Sequence, residues 1–248
     1  MRLDRIIELL HNNADENYKE NVIKLGIPEA TSIGVSTQFL RLLAKEIGKD
    51  DDLATDLWVT GYHEAKLLAV LITRPELVTK AQLDQMVTEI YSWELCDHFS
   101  KELVAPSAYA DECIHDWVTN SAVFVRRAAF VLMCADVVKN KSVNPKNLDQ
   151  YIYYCESFAH DDEVYVKKSI IWLLKEIGKF NYTYQGMVLM VCNDFIDYGS
   201  KTSMKIARDV LREVENLIHV PHKRRLVSSQ SKAGKEHLRK LEMNRKEA

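Results

Sequence analysis

Glycine and proline are both scarce, 8 and 5 in 248 residues. Sandwich and barrel folds need many turns, so this scarcity excludes them and favours long regular elements with short connections. Cysteine is also sparse: Cys96, Cys113, Cys134, Cys155 and Cys192 are widely spaced and never form CxxC. That excludes a zinc ribbon or a disulfide framework and reads as reduced core thiols. No apolar run approaches the roughly 18 residues of a membrane span. MRLDRIIELLHNN lacks the apolar core of a signal peptide. A soluble, cytoplasmic protein is the expectation. There is no GxxxxGK[ST], GxGxxG or GxSxG, and HEAKL (63–67) places Leu67 where a zinc protease needs its second histidine. The eight histidines show no ligand spacing, and His98 reads as a surface residue. Neither a metal nor an organic cofactor is expected.

The charge is unevenly placed. The formal net charge is −3, yet residues 219–248 hold nine Lys/Arg against three Asp/Glu. The other 218 residues therefore carry 24 against 33. A DNA-binding surface on so acidic a body has to be a local basic strip, not a global field. The reading divides the chain into a repeat domain over 1–220 and a basic tail over 221–248, flexible or partly helical.

What is present is helical periodicity. Leu3, Ile6, Ile7 and Leu10 follow i, i+3, i+4, i+7. The pattern recurs over 36–48, 52–59, 62–73, 79–91, 93–104, 108–118, 121–138, 146–158, 162–179, 183–197 and 201–218. Ser36 or Thr37, Thr79, Ser121 and Ser200 or Ser203 are candidate N-caps. YIYYC (151–155) is ambiguous between strand and helix, but no convincing alternation appears anywhere. The class is all-α.

The helices also resemble one another. FVRRAAFVLMCADVV (124–138) aligns with YVKKSIIWLLKEIGK 41 residues later, and SMKIARDVLREVENL follows after another 38. A period near 40 fits HEAT-like helix pairs stacked into an α-solenoid with a concave groove. Arg126, Arg127, Lys167, Lys168 and Lys205 open successive repeats in register, either as one positive strip or as ordinary solvated faces. In SWELCD (92–97), Trp93 and Asp97 stand four residues apart, one turn apart on one helix face.

SWELCD, WVTNSAVFVRRAAF (117–130) and YVKKSIIWLLKE (165–176) resemble the signature blocks of the DNA alkylation repair family, the AlkD-like HEAT-repeat DNA glycosylases. GIPEATSIGVSTQFLRLLAKEIGKD (26–50) and LWVTGYHEAKLLAVLI (57–72) agree, so the resemblance covers roughly residues 15–218. It implies that Trp93, Asp97, Arg127 and Trp172 line a catalytic cleft. It also implies that Ser36, Thr37 and Arg41 meet the DNA backbone. Ser92 stands where better-known members carry a second Trp, and Glu94 replaces an Asp.

The implied activity is excision of cationic N3- or N7-alkylated purines from double-stranded DNA by a monomer, with the base largely left in the duplex. A cationic purine is already a good leaving group. The enzyme then has to stabilise an oxocarbenium-like sugar and deliver water, which a carboxylate such as Asp97 suits. Indole faces of Trp93 and Trp172 attract cations by about 0.5–2 kcal/mol, and Arg127 suits a phosphate. Two other functions fit the same sequence: a non-catalytic binder of damaged or branched DNA, and a protein-interaction scaffold.

Overall fold

The computed structural model describes residues 2–139 and 143–247, with side chains to 244. Ser142, which the sequence places in a break between helices, lies outside the described residues. Two compact units, Met1–Leu132 and Met133–Ala248, divide the chain.

The first unit begins with α1 (Leu3–Asn12), α2 (Glu16–Lys24) and a 3-10 turn (Glu29–Thr31). It continues through α3 (Thr37–Ile47), α4 (Asp51–Val59), α5 (His63–Ile72) and α6 (Lys80–Thr88). Next come α7 (Trp93–His98), a π-helical segment (Phe99–Val104), α8 (Ala110–Trp117) and the start of α9 (Val123–Lys139). Ser36 and Thr79 cap α3 and α6 as expected, each accepting from a backbone N–H three residues on. Ser121 does not begin α9, whose first residue is Val123.

Helix α5 is the centre of this unit. It packs against α3, α4, α7 and the π-helical segment. Of its ten residues all but Leu71 are buried. A helix enclosed on every side loses its polar face, and the two polar side chains at its start have to be satisfied internally. Glu64, 1% exposed, accepts from the backbone N–H groups of Ile33 (2.9 Å), Gly34 (2.7 Å) and Val35 (3.3 Å) and from the Ser32 hydroxyl (3.3 Å). Its carboxylate fills a concave run of amide donors, an anion-binding arrangement of the backbone. Gly34 makes that loop possible: its φ is +100°, and a Cβ there would stand 2.8 Å from the Lys19 Cβ.

His63 and Glu94 form a second internal brace. The His63 ring, 2% exposed, meets Glu94 Oε2 through Nε2 at 3.2 Å. Thr37 donates its hydroxyl to Glu94 Oε1 at 3.1 Å, and the Tyr18 hydroxyl stands 3.4 Å from Thr37 Oγ1. One carboxylate thus ties α7 to α3 and α5, and Tyr18 extends the tie to α2.

The second unit contains α10 (Pro145–Ser157), α11 (Val164–Gly178), α12 (Tyr182–Asp197) and α13 (Lys201–Val214). Pro145 in the first turn and the Asn144 cap start α10, which resolves YIYYC as helix. Leu148, Tyr151, Ile152 and Cys155 supply its buried stripe. Helices α11, α12 and α13 pack on one another. Beyond them, β1 (Leu217–Ile218) pairs antiparallel with β2 (Val227–Ser228), and α14 (Lys232–Glu247) follows.

The start of the basic segment is built into the second unit. Leu226 is 5% exposed, and its N–H donates to the Lys179 carbonyl at 2.8 Å. Arg225 pairs with Glu176 at 2.8 Å with both side chains largely covered. Helix α14, by contrast, leaves Leu238, Leu241 and Met243 exposed.

These features set two expected outcomes. Removal of residues 221–248 uncovers the Leu226 site, worth about 1.5–3 kcal/mol, and takes Arg225 from Glu176, which keeps Lys179 at 3.1 Å. Removal of 232–248 alone is expected to cost less than about 1 kcal/mol. Thermal melts of the two truncations check this, and equal loss contradicts it. The second outcome concerns Glu94. Burial raises its carboxyl pKa, but the His63 hydrogen bond and charge, with Thr37, more than offset this and hold it below the ordinary value. The unfolded chain then binds the proton more tightly. The stabilisation is present above the ordinary glutamate value and is lost as pH falls through the folded one. Glu94→Gln is therefore expected to melt below the wild type at neutral pH, with the gap closing in acid. A gap unchanged down to about pH 3 contradicts this.

Candidate functional site

Helix α7 carries the central residues, and its start explains one departure from the resemblance. Ser92, 1% exposed, is the N-cap, its hydroxyl accepting from the Leu95 N–H at 3.2 Å. A tryptophan at that position would remove the cap. The following π-helical segment is marked by the Ala105 N–H bonding back five residues to the Ser100 carbonyl at 2.8 Å.

Trp93 and Asp97 lie on α7, four residues apart and both half-buried. The Trp93 indole N–H donates to the Leu25 carbonyl at 3.0 Å, which ties this ring to the end of α2. Asp97 receives Arg127 from α9. Nε at 3.1 Å and an Nη at 2.8 Å both donate to Asp97 Oδ1. The two side chains are 7% and 15% exposed, and Lys101 stands 3.7 Å from the other carboxylate oxygen. Beneath Asp97, burial pushes the Cys96 thiol up to about 12, so it is no nucleophile. His98 is half-buried and not a surface residue as the sequence suggested. Burial lowers its pKa, and the Arg41 charge lowers it further.

The remaining sequence candidates fall into different settings. Ser36 spends its hydroxyl capping α3, accepting from Phe39 N–H at 3.2 Å, and Thr37 is joined to Glu94. Arg41 pairs with Glu102 at 2.9 Å while remaining half exposed. Arg126 donates to the Asn120 and Ser121 carbonyls at 2.7 and 2.6 Å, closing the turn before α9. In the second unit, Lys167 donates to the Asp162 carbonyl at 3.2 Å, Lys168 and Lys205 are exposed, and Trp172 is half-buried on α11.

Sequence reasoning missed His63 and the Thr37–Glu94 contact. The signal available was Glu94 itself, an acidic residue in the first turn of α7, where it also suits the helix dipole. Among the described residues no cluster of three or more His, Cys, Asp or Glu is placed to hold a metal ion. No helix there is long and apolar enough to cross a membrane.

Comparison with known proteins identifies the fold and the family. A solved structure described as belonging to a new family of proteins related to the HEAT-like repeat DNA glycosylases, with affinity for branched DNA structures, has the same fold. The TM-score is 0.69 at 18% identity, over 99% of this chain and 96% of that one. No match appears among curated proteins. The family model described as DNA alkylation repair enzyme matches residues 6–185, from within α1 through every element to α11, the Asp97–Arg127 pair included; the chain belongs to the DNA alkylation repair enzyme family.

Proposed function

We propose that this protein is a DNA glycosylase that releases cationic N3- or N7-alkylated purines from duplex DNA. The observation that carries the reading is the Asp97 carboxylate, gripped through one oxygen by Arg127 and set one helical turn from the Trp93 indole. In the reaction the N-glycosidic bond breaks, its electron pair stays with the cationic purine, and the sugar becomes oxocarbenium-like. Asp97 offsets that charge and takes the proton of the water that adds to the anomeric carbon. The products are the free alkylated base and an abasic site. Arg127 fixes the carboxylate and presents positive charge to the lesion strand. The Trp93 indole attracts the cationic base or sugar by about 0.5–2 kcal/mol. Lys168 and Lys205, exposed on α11 and α13, suit phosphate contact. The proposed enzyme acts as a monomer in the cytoplasm, without a metal or organic cofactor.

A second reading has a specific observation behind it. The solved structure with the same fold is described as having affinity for branched DNA, and Asp97 here is closely engaged by Arg127. On that reading the pair is a strut beneath a DNA-binding face, and no bond is broken.

Two outcomes separate these readings. Asp97→Asn is expected to lose excision at least about a hundred-fold in single-turnover kinetics, while keeping duplex affinity. Excision at the wild-type rate contradicts the role of Asp97. Arg127→Ala is expected to flatten the slope of log affinity against log salt by about one unit. An unchanged slope means that Arg127 supports Asp97 without touching phosphate.

A further inference from the structure

The first unit holds a cavity of about 500 Å³ on elements that the proposed reaction does not use, lined by residues of α4, α5 and α6 and their connections. That volume lies within the roughly 300–1,000 Å³ of small-ligand sites. One residue in its lining is unusual. Lys66 is buried, its side chain 7% exposed, and a lysine is almost never buried unless well paired.

Here the pairing is poor. Among the described residues two acceptors reach the Lys66 Nζ, both from Glu89: carboxylate Oε2 at 3.3 Å and the backbone carbonyl at 3.5 Å. Both are longer than the usual N–H···O range of about 2.7–3.2 Å. The same Oε2 already accepts the Trp58 indole N–H at 2.6 Å. The ammonium leans on the rings of Trp58 and Tyr91, 4.5 and 5.7 Å from their centroids. Those contacts relieve its charge but give its N–H groups no oxygen. The cavity therefore presents a donor short of an acceptor beside Glu89, 38% exposed, whose carboxylate has acceptor capacity left.

The rest of the lining selects the ligand class. Met86, Val78 and Leu77 supply an apolar wall, and Leu77 is 57% exposed at the lip. Lys66 and Glu89 cancel in charge, and Asp51 in the wall is taken by Arg74 at 2.6 Å, so neither an anion nor a cation is favoured. We propose that this cavity binds a neutral, flat heteroaromatic molecule with a cyclic-amide edge. The ring carbonyl accepts from Lys66, the adjacent ring N–H donates to Glu89, and the apolar rings lie against Met86 and Leu77. Free oxo-purine bases have this chemistry. The assignment stands apart from the excision reading, since none of these residues belongs to the Asp97 site.

The test uses the full chain and two commercial probes. Hypoxanthine carries the carbonyl and adjacent N–H; unsubstituted purine has the same rings without the carbonyl. The Trp58 indole N–H, bonded to Glu89, is the reporter in a nitrogen–proton correlation spectrum, assigned with Trp58→Phe. Hypoxanthine is expected to shift that resonance saturably, with purine at least about ten-fold weaker. Lys66→Met is expected to weaken hypoxanthine by a similar factor. A Trp58 resonance that stays put, equal binding of the two probes, or wild-type affinity in Lys66→Met overturns the proposal. So does a shift confined to the Trp93 indole, which would place the base at the Asp97 site. The comparison of probes needs no variant, so an unstable Lys66→Met leaves the proposal testable.

Discussion

A guanidinium only 7% exposed has given up most of its hydration, and such a group is tolerated when it is paired and hydrogen-bonded. Arg127 meets that condition on Asp97, and the constraint reaches outward from there. Asp97 has to stand at one position on α7, so α7 has to be fixed in rotation and along its axis. Ser92 stops the helix at its start, the π-helical segment continues it, and the Glu94 carboxylate bolts its first turn to His63 and Thr37. The loop before α3 is held in turn by Glu64. Three acidic side chains, Glu64, Glu94 and Asp97, thus tie α2, α3 and α5 through α7 to α9. Losing Arg127 leaves a largely covered carboxylate with the more distant Lys101 as its partner at 3.7 Å, which is costlier than deleting Arg127 and Asp97 together.

Most of the helices were legible in the sequence because helices write their buried faces at a period of 3.6. The Trp93–Asp97 spacing and the helices from α3 to α13 follow from that period, and the caps at Ser36 and Thr79 from their hydroxyl side chains at the helix starts. Helix α2 was not legible: ENYKENVIK buries Val22 alone, so it leaves almost no apolar stripe. The strands β1 and β2 are two residues each, too short for alternation to show. The adjacent arginines are the clearest case of what sequence hides. Arg126 and Arg127 differ by about 100° around the helix. That rotation sends one to the carbonyls of its own turn and the other inward to Asp97.

Charge placement follows the same logic. The acidic excess outside the C-terminal segment is not spread evenly over solvent-facing surface; part of it is used to bind backbone amides and buried bases inside the first unit. On the proposed function, a basic strip for DNA falls to residues that remain exposed, such as Lys168 and Lys205. Family membership is settled over residues 6–185, while catalysis turns on whether the Asp97 carboxylate meets a sugar or merely steadies an arginine.

One assay addresses that directly: release of free 7-methylguanine from methylated duplex DNA by the wild-type protein in excess, followed to completion. The account predicts first-order release of the base and an equal yield of abasic sites. No release above the spontaneous rate, from a protein that is folded and bound to the same DNA, would contradict it and leave the Asp97–Arg127 pair as a structural strut beneath a DNA-binding face.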